Sequence, residues 1–244
     1  MINLQNVYKK FGAGDLALED VSFVIDPGEF VFVVGPSGSG KTTLFRLLIR
    51  EMIPTSGSIH IGEWDIANLP QNKVPHLRKK IGVVFQDLKL LRDRTIFENV
   101  LFPLEVAGIE EKQSQKRVED ILEQVGIQRH RDKFPIQLSG GELQRAAIAR
   151  ALAFSPEIIL ADEPTGNLDE GTTWEIVKLL QDINAAGTTI LMATHDNNIV
   201  EKIAKRVLTI DKGKLVKDEK HEKKSKKDAS ASSTQVSHSK EGDK

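Results

Sequence analysis

Apolar and polar residues change their period several times along the chain, and each change marks an element. Ile2-Asn3-Leu4-Gln5-Asn6-Val7 and Val21-Ser22-Phe23-Val24-Ile25 alternate with a period of two, the pattern of half-buried antiparallel strands. Phe30 to Val34 is instead a continuous apolar run, as in a strand covered on both faces, and Asp26-Pro27-Gly28 is the turn that delivers the chain to it. Leu44, Phe45, Leu47 and Leu48 then place an apolar face on a helix. After the punctuation Pro54-Thr55-Ser56-Gly57, Ser58-Ile59-His60-Ile61-Gly62 predicts a short strand, and Ile81-Gly82-Val83-Val84-Phe85 a buried parallel one that ends at Gln86.

From Thr95 to about Gly126 the period becomes helical, with Ile96, Val100, Leu104 and then Val118, Ile121, Leu122, Val125 at spacings of three and four. A second helix opens at Ser139, where Glu142 three residues later completes a capping-box pattern, and runs through Ala146, Ala147, Ile148 and Leu152. Glu157 to Asp162 is an apolar strand closed by the carboxylates Asp162 and Glu163. The segment Asp169 to Ile183 is helical, Thr188 to Ala193 is a strand, and His195 stands just past its end. Strands alternating with helices predict an α/β fold with a parallel, doubly wound sheet, whose ligands sit at the carboxyl ends of the strands. Gly40, Gln86, Asp162 and His195 all follow predicted strand ends. Arg206 to Ile210 and Lys214 to Val216, joined by Asp211-Lys212-Gly213, close the fold as a hairpin, and 218–244 is a Lys/Ser-rich stretch expected to be disordered. No internal repeat is seen.

Composition narrows the classes. The 244 residues are 39% hydrophobic and 28% charged, an ordinary globular balance sufficient for one larger domain and one nucleotide site. A net charge of -1 supplies no global basic field, so no nucleic-acid partner is expected. There is no cysteine, which excludes disulfides and thiolate metal sites, and the six histidines have no ligand spacing. No run approaches 18 apolar residues and the N-terminus has no signal-peptide pattern, so a membrane role is expected to come through a partner.

The candidate chemistry centres on Gly35-Pro36-Ser37-Gly38-Ser39-Gly40-Lys41-Thr42, a complete G-x-x-x-x-G-K-[ST] loop between a strand and a helix. Its glycines let backbone N–H groups converge on anionic oxygens while the helix N-terminus adds its dipole. Lys41 is expected at the β/γ-phosphates and the Thr42 hydroxyl on Mg²⁺. Asp162 at a buried strand end supplies a second Mg²⁺ ligand, and Glu163 beside it a group to orient or deprotonate the attacking water.

Leu138-Ser139-Gly140-Gly141-Glu142-Leu143-Gln144 resembles the LSGGQ-type signature of ATP-binding cassette (ABC) ATPases. With the phosphate loop, Gln86, Ala161-Asp162-Glu163-Pro164, Asn167-Leu168-Asp169 and His195, it completes that family's motif set in order, over residues 1 to about 216. The resemblance implies a P-loop NTPase with a RecA-like core, an antiparallel β subdomain and a helical subdomain at about 95–140, the whole ATP-binding domain spanning 1–217. It implies ATP and Mg²⁺ as ligands: Gly35 to Thr43, including Pro36 and Thr43, on the nucleotide, Phe11 against adenine, and Thr42, Gln86 and Asp162 on the metal. Catalysis would fall to Glu163, His195, Gln86 and Lys41. Ser139, Gly140, Gly141 and Asp169 would close on nucleotide bound by a second copy, so the active form would be a head-to-tail homodimer holding two ATPs. Leu143 departs from the family's usual Gln, and Thr42 replaces the commoner Ser with the hydroxyl kept.

Within the family, Phe85 to Leu91, Thr95 to Val100, Pro103 to Gly108 and Leu191 to Asp196 look most like the cell-division branch. That implies a four-helix membrane partner of the FtsX kind, an indirect link to peptidoglycan hydrolases and division proteins, and a peripheral position on the cytoplasmic face of the plasma membrane. The alternatives are ATPases of lipoprotein-release, macrolide-export or amino-acid-import transporters, and less readily a soluble ABC ATPase. The partner's cytosolic helix is expected in an apolar groove built from Leu90, Leu91, Phe97 and Phe102.

Overall fold

The computed structural model describes residues 1–12 and 14–220. Six strands form the central sheet: β3 (Phe30–Val34), β6 (Ile81–Val84), β7 (Ile158–Asp162), β8 (Thr189–Ala193), β9 (Arg206–Asp211) and β10 (Lys214–Glu219), in the order β10-β9-β3-β8-β7-β6. All neighbours are parallel except β9 and β10. A second, antiparallel sheet has the order β2-β1-β4-β5, from β1 (Ile2–Phe11), β2 (Asp15–Ile25), β4 (Ser56–Ile61) and β5 (Trp64–Asp65). The helices are α1 (Lys41–Leu48), α2 (Val74–Lys79), α3 (Ile96–Val106), α4 (Glu111–Gln124), α5 (Gly140–Ala151), α6 (Glu170–Ala185) and α7 (Asn197–Ile203).

The apolar runs of the central strands follow from burial on both faces. Along β3, Phe30 and Phe32 join a core shared with α3 to α6, while Val31 and Val33 join one shared with α1, α2 and the antiparallel sheet. Strand β7 divides the same way, Ile159 and Ala161 against Ile158 and Leu160. A two-residue period therefore separates two cores across one sheet, and its carboxyl edge is the line both cores support.

Three differences from the sequence reading have local causes. Strand β1 runs to Phe11 rather than Val7 because Asn6 (φ 47°) and Asp20 (φ 53°) take left-handed backbone, shift the β1–β2 register and end the visible alternation. The Asn6 side-chain amide donates to Asp20 Oδ1 across the break (2.8 Å). Elements β5, α2 and α7 are too short to display a period. Finally, Asp218 and Glu219, read as the start of the tail, belong to β10; the tail beyond residue 220 lies outside the described residues.

Asp218 is held in the sheet by Arg206. The Arg206 side chain is 7% exposed and donates Nε and Nη2 to the two Asp218 oxygens (2.8 Å each), and Nη1 to Val24 O (2.7 Å) and Glu29 Oε2 (2.8 Å). One guanidinium thus ties β9 to β10, β2 and the approach to β3. The Arg206 hydrogen bonds hold the Asp218 carboxyl below its ordinary value, and Asp218 in turn raises the guanidinium. Because Asp218 is depressed in the fold, its contribution is present above the unfolded carboxylate value near pH 4 and is lost as pH falls through the folded one. Arg206→Met should cost about 3 kcal/mol in urea unfolding at pH 7, since it leaves carboxylates without their partner. The stability difference between wild type and Asp218→Asn should shrink steadily below pH 4; a difference independent of pH would remove the ion pair from the account.

Candidate active site

The phosphate loop leaves β3 at Gly35 and enters α1 at Lys41. Gly40 has φ 113° and lies so close to β2 that a Cβ there would stand 2.6 Å from Ala17 O, so no other residue fits the junction. Helices α3, α5, α6 and α7 receive side-chain caps from Thr95, Ser139, Asp169 and Asp196; α1, like α2 and α4, has none, and it carries no acid in its first turn. Its first amides face a cavity of about 660 Å³. Ser39 Oγ is buried there without a hydrogen-bond partner, and Lys41, 8% exposed, curls back to donate Nζ to Gly35 O (2.7 Å) and Pro36 O (3.0 Å). Uncapped amides, an orphaned hydroxyl and a buried ammonium fit a polyphosphate.

The far wall comes from the ends of β6, β7 and β8. Asp162 accepts from Thr42 Oγ1 (3.0 Å), and Gln86 lines the same space. Burial pushes the Asp162 carboxyl above its ordinary value; the Thr42 hydroxyl opposes this and the adjoining Glu163 adds to it. Among the described residues no three His, Cys, Asp or Glu side chains cluster as a protein-only metal cage. The donor set fits Mg²⁺, which keeps waters and takes most of its oxygens from phosphate.

Glu163 sits at φ 51°, left-handed backbone that an ordinary residue occupies only when its surroundings enforce it. Here its N–H donates to Ala193 O (3.0 Å) and its carbonyl accepts from Gly166 N (3.0 Å). The turn aims the carboxylate into the cavity, where Glu163 Oε2 is 2.9 Å from His195 Nδ1. Glu163 is 13% exposed and His195 75%, so the pair runs from the wall to the mouth.

The structure therefore brings together Ser37 to Thr43, Gln86, Asp162, Glu163 and His195 around one cavity, with Gly35 and Pro36 holding Lys41. Five other predicted site residues stand apart from it. Ser139 caps α5, with its hydroxyl donating to Glu142 Oε2 (2.8 Å), and Asp169 caps α6, accepting from Thr172 N (3.0 Å) and Oγ1 (2.6 Å). Those hydrogen bonds hold both the Glu142 and Asp169 carboxyls down. The two helix starts abut: a Cβ on Gly141 would lie 2.4 Å from Thr172 Cγ2, while Gly140 faces Leu168. Phe11 is 40% exposed beside Lys9 Nζ (5.3 Å) and does not line the cavity. Ala17, Thr165, Gly166, Asn167, Thr194 and Asp196 do, and none of them is given a site role by the sequence. The strand-end rule reaches Thr194, immediately before His195; nothing in the sequence reaches Ala17, whose place depends on β2 folding over the loop.

Of the residues expected in an apolar groove, Leu90, Leu91 and Phe97 are half-buried and Phe102 is exposed. Phe97 lies beneath the Arg131 guanidinium (4.4 Å). A concave surface of about 510 Å³ beside Phe85 is lined by Ile49, Phe85, Lys89, Pro103, Arg150 and Phe154 among others. Leu88, Leu90 and Phe97 are half-buried, one side of each packed on the core that α3 and α5 share.

Comparison with known proteins bears on this geometry. A family model described as ABC transporter matches residues 18–166, more than half of the chain. The chain belongs to the ABC transporter family. It is 49% identical to the cell division ATP-binding protein FtsE of Bacillus subtilis over 219 residues, 90% of this chain and 96% of that one. With FtsE of Mycobacterium tuberculosis it shares 47% over 220 residues, 90% and 96% of the two chains. The dimeric structure of the ATP-binding cassette MJ0796 bound to ADP and Pi superposes with a TM-score of 0.83 at 37% identity, covering 91% of this chain and all of that one. The uncapped loop, the Asp162–Glu163 strand end and the separate Ser139–Asp169 face are thus two parts of an ABC ATPase on one protomer.

Asp162 tests the electrostatics of the cavity. A carboxylate raised by burial costs stability when ionised at pH 7 and costs nothing once protonated, so Asp162→Asn should stabilise the nucleotide-free chain at neutral pH. The expected gain is about 1 kcal/mol, some 2–4 °C in melting temperature for a chain of this size. The further rise that Mg²⁺ with ATP gives the wild type should be absent. A lower melting temperature without nucleotide would show that the carboxylate is compensated in the empty cavity.

Proposed function

We propose that this chain is the ATP-hydrolysing subunit of an FtsE-type complex in cell division, driving a membrane partner that resembles FtsX. The reading is carried by the 2.9 Å Glu163–His195 pair beside the Thr42–Asp162 contact, at the end of an uncapped phosphate loop. Similarity to FtsE proteins over about nine-tenths of the chain supports the cell-division assignment over lipoprotein-release, export and import systems.

In this mechanism the α1 amides and Ser39 receive the phosphate chain, and Lys41 exchanges the Gly35 and Pro36 carbonyls for the β/γ-oxygens. Thr42, Asp162 and Gln86 would hold Mg²⁺, which neutralises charge on those oxygens when bound. Glu163 takes a proton from the attacking water. His195, held by Glu163, stands at the γ-phosphate and keeps the water in line, and Gln86 reports the γ-phosphate. Phe11 would meet adenine once the β1–β2 hairpin closes on the nucleotide.

Ser139, Gly140, Gly141 and Asp169 act on the nucleotide of a second copy. The working unit is a head-to-tail homodimer with two ATPs at its interface. The cleft lined by Phe85, Pro103 and Phe154 receives the partner's cytosolic helix, fixing the chain to the cytoplasmic face of the membrane. Among the described residues no helix is long and apolar enough to cross a membrane. Through that partner, ATP turnover governs peptidoglycan hydrolases.

Glu163→Gln should lower phosphate release at least 100-fold while ATP binding persists and the dimer accumulates, as read by phosphate assay and light scattering. An equal rate would remove Glu163 from its role. Used as bait against detergent-solubilised membranes, the same variant should recover a four-span protein with a large extracellular loop. Recovery of a lipoprotein-release, export or import permease would replace the cell-division assignment.

A further inference from the structure

Beyond Gln86 the chain enters a segment held from outside the sheet that delivers it. Leu88 (φ 56°) and Lys89 (φ 49°) are consecutive left-handed residues, a conformation neither side chain favours. Their two carbonyls converge on one group: Arg150 donates Nη2 to Leu88 O (2.6 Å) and Nη1 to Lys89 O (2.5 Å). Among the described residues no carboxylate lies within ion-pair distance of Arg150. Burial pushes its guanidinium below the ordinary value. Half-buried, the guanidinium is compensated by these two carbonyls, and parting it from them would leave a partly desolvated cation without partners. The next residues are held by α3: Asn99, fully buried, accepts from Leu91 N (2.7 Å) and donates to Leu91 O (3.0 Å) and Thr95 O (2.8 Å).

Arg150 is the eleventh residue of α5, whose first turn carries Ser139, Gly140 and Gly141. At 1.5 Å per residue the helix is a rod of about 18 Å, with the Gln86 segment clamped at one end and the signature face at the other. We infer that Arg150 is a positioning residue that locks the Gln86 segment to α5, so that the segment and the signature face move as one body. The inference rests on the ATPase reading, in which Gln86 meets the γ-phosphate, and adds the connection by which that contact reaches the face presented to the second copy. A lysine keeps the charge but cannot span two carbonyls as the guanidinium fork does.

A double-mutant cycle on the full chain tests this. Arg150→Lys should lower kcat at least fivefold with KM for ATP within twofold of wild type. Combining it with Gln86→Ala should lower kcat no more than twofold beyond the worse single variant, because both cut one connection. Multiplying effects, a kcat within twofold of wild type, or a raised KM at constant kcat would overturn the inference. Arg150→Gln, which keeps an amide donor without a buried charge, replaces the lysine variant if that chain does not fold, as judged by hydrogen exchange in β3 and β7. A second arm needs no hydrolysis: without nucleotide, Arg150→Lys should speed amide exchange in both 87–91 and 139–143. A change confined to 87–91 would overturn the coupling while leaving the ATPase reading intact, and absence of turnover in wild type would overturn that reading alone.

Discussion

The open N-terminus of α1 is the constraint to which the rest of the molecule answers. A helix start carries four amides without intrahelical partners, and a buried, unsatisfied polar group costs about 1–3 kcal/mol. Four other helices relieve this with Thr95, Ser139, Asp169 and Asp196; α1, like α2 and α4, has no side-chain cap, but it turns its open start onto the cavity and adds a buried Lys41 and an unpartnered Ser39 Oγ. An arrangement of this kind persists only on a rigid support. The two cores sharing β3 supply it, because the strand that feeds the loop is buried on both faces. The same logic places a desolvated carboxylate, Asp162, and a left-handed Glu163 at the end of β7, where β6 and β8 fix the backbone on both sides. Stability is spent at the carboxyl edge of the sheet and recovered in its interior.

How much of this the sequence discloses depends on whether a signal is local. The phosphate loop, the carboxylate pair and His195 are legible because each follows a buried strand whose apolar run is continuous, and strand ends in a parallel sheet converge. Gly35 to Thr43 is a motif in which every residue's place follows from its neighbours. Ala17 is the opposite case. It reaches the cavity because β2 crosses above Gly40, a contact between residues more than twenty positions apart that no periodicity encodes. The full lengths of β1 and β10 escape the sequence pattern for a related reason. Left-handed Asn6 and Asp20 break an alternation that the strand itself survives, and the polar end of β10 is held by the Arg206–Asp218 pair rather than by apolar burial. The groove shows the limit of composition: Leu90 and Phe97 satisfy any apolar pattern, but packing decides whether they face a partner or the core.

The contrast between the two helix starts bears on why one protomer holds only half of each proposed site. Unlike α1, α5 satisfies itself: Ser139 accepts from Glu142 N, while the Glu142 carboxylate receives both the Ser139 N–H and its hydroxyl. Glu142, held ionised by those bonds, closes the capping box with no phosphate present. The face is therefore folded and latent in the single chain. In the proposed dimer, phosphate bound by the second copy competes for the Ser139 hydroxyl with a carboxylate already in place. Exchanging one hydrogen bond for another leaves a net difference of about 1 kcal/mol per contact, small beside the cost of associating two chains. Closure of the proposed dimer would then depend on the summed charge of the γ-phosphates at its two nucleotide sites, and loss of those phosphates on hydrolysis would remove the difference. Under the proposed function, a self-capped α5 opposite an uncapped α1 would let nucleotide close the dimer and hydrolysis open it, as an ATPase that drives a membrane partner requires.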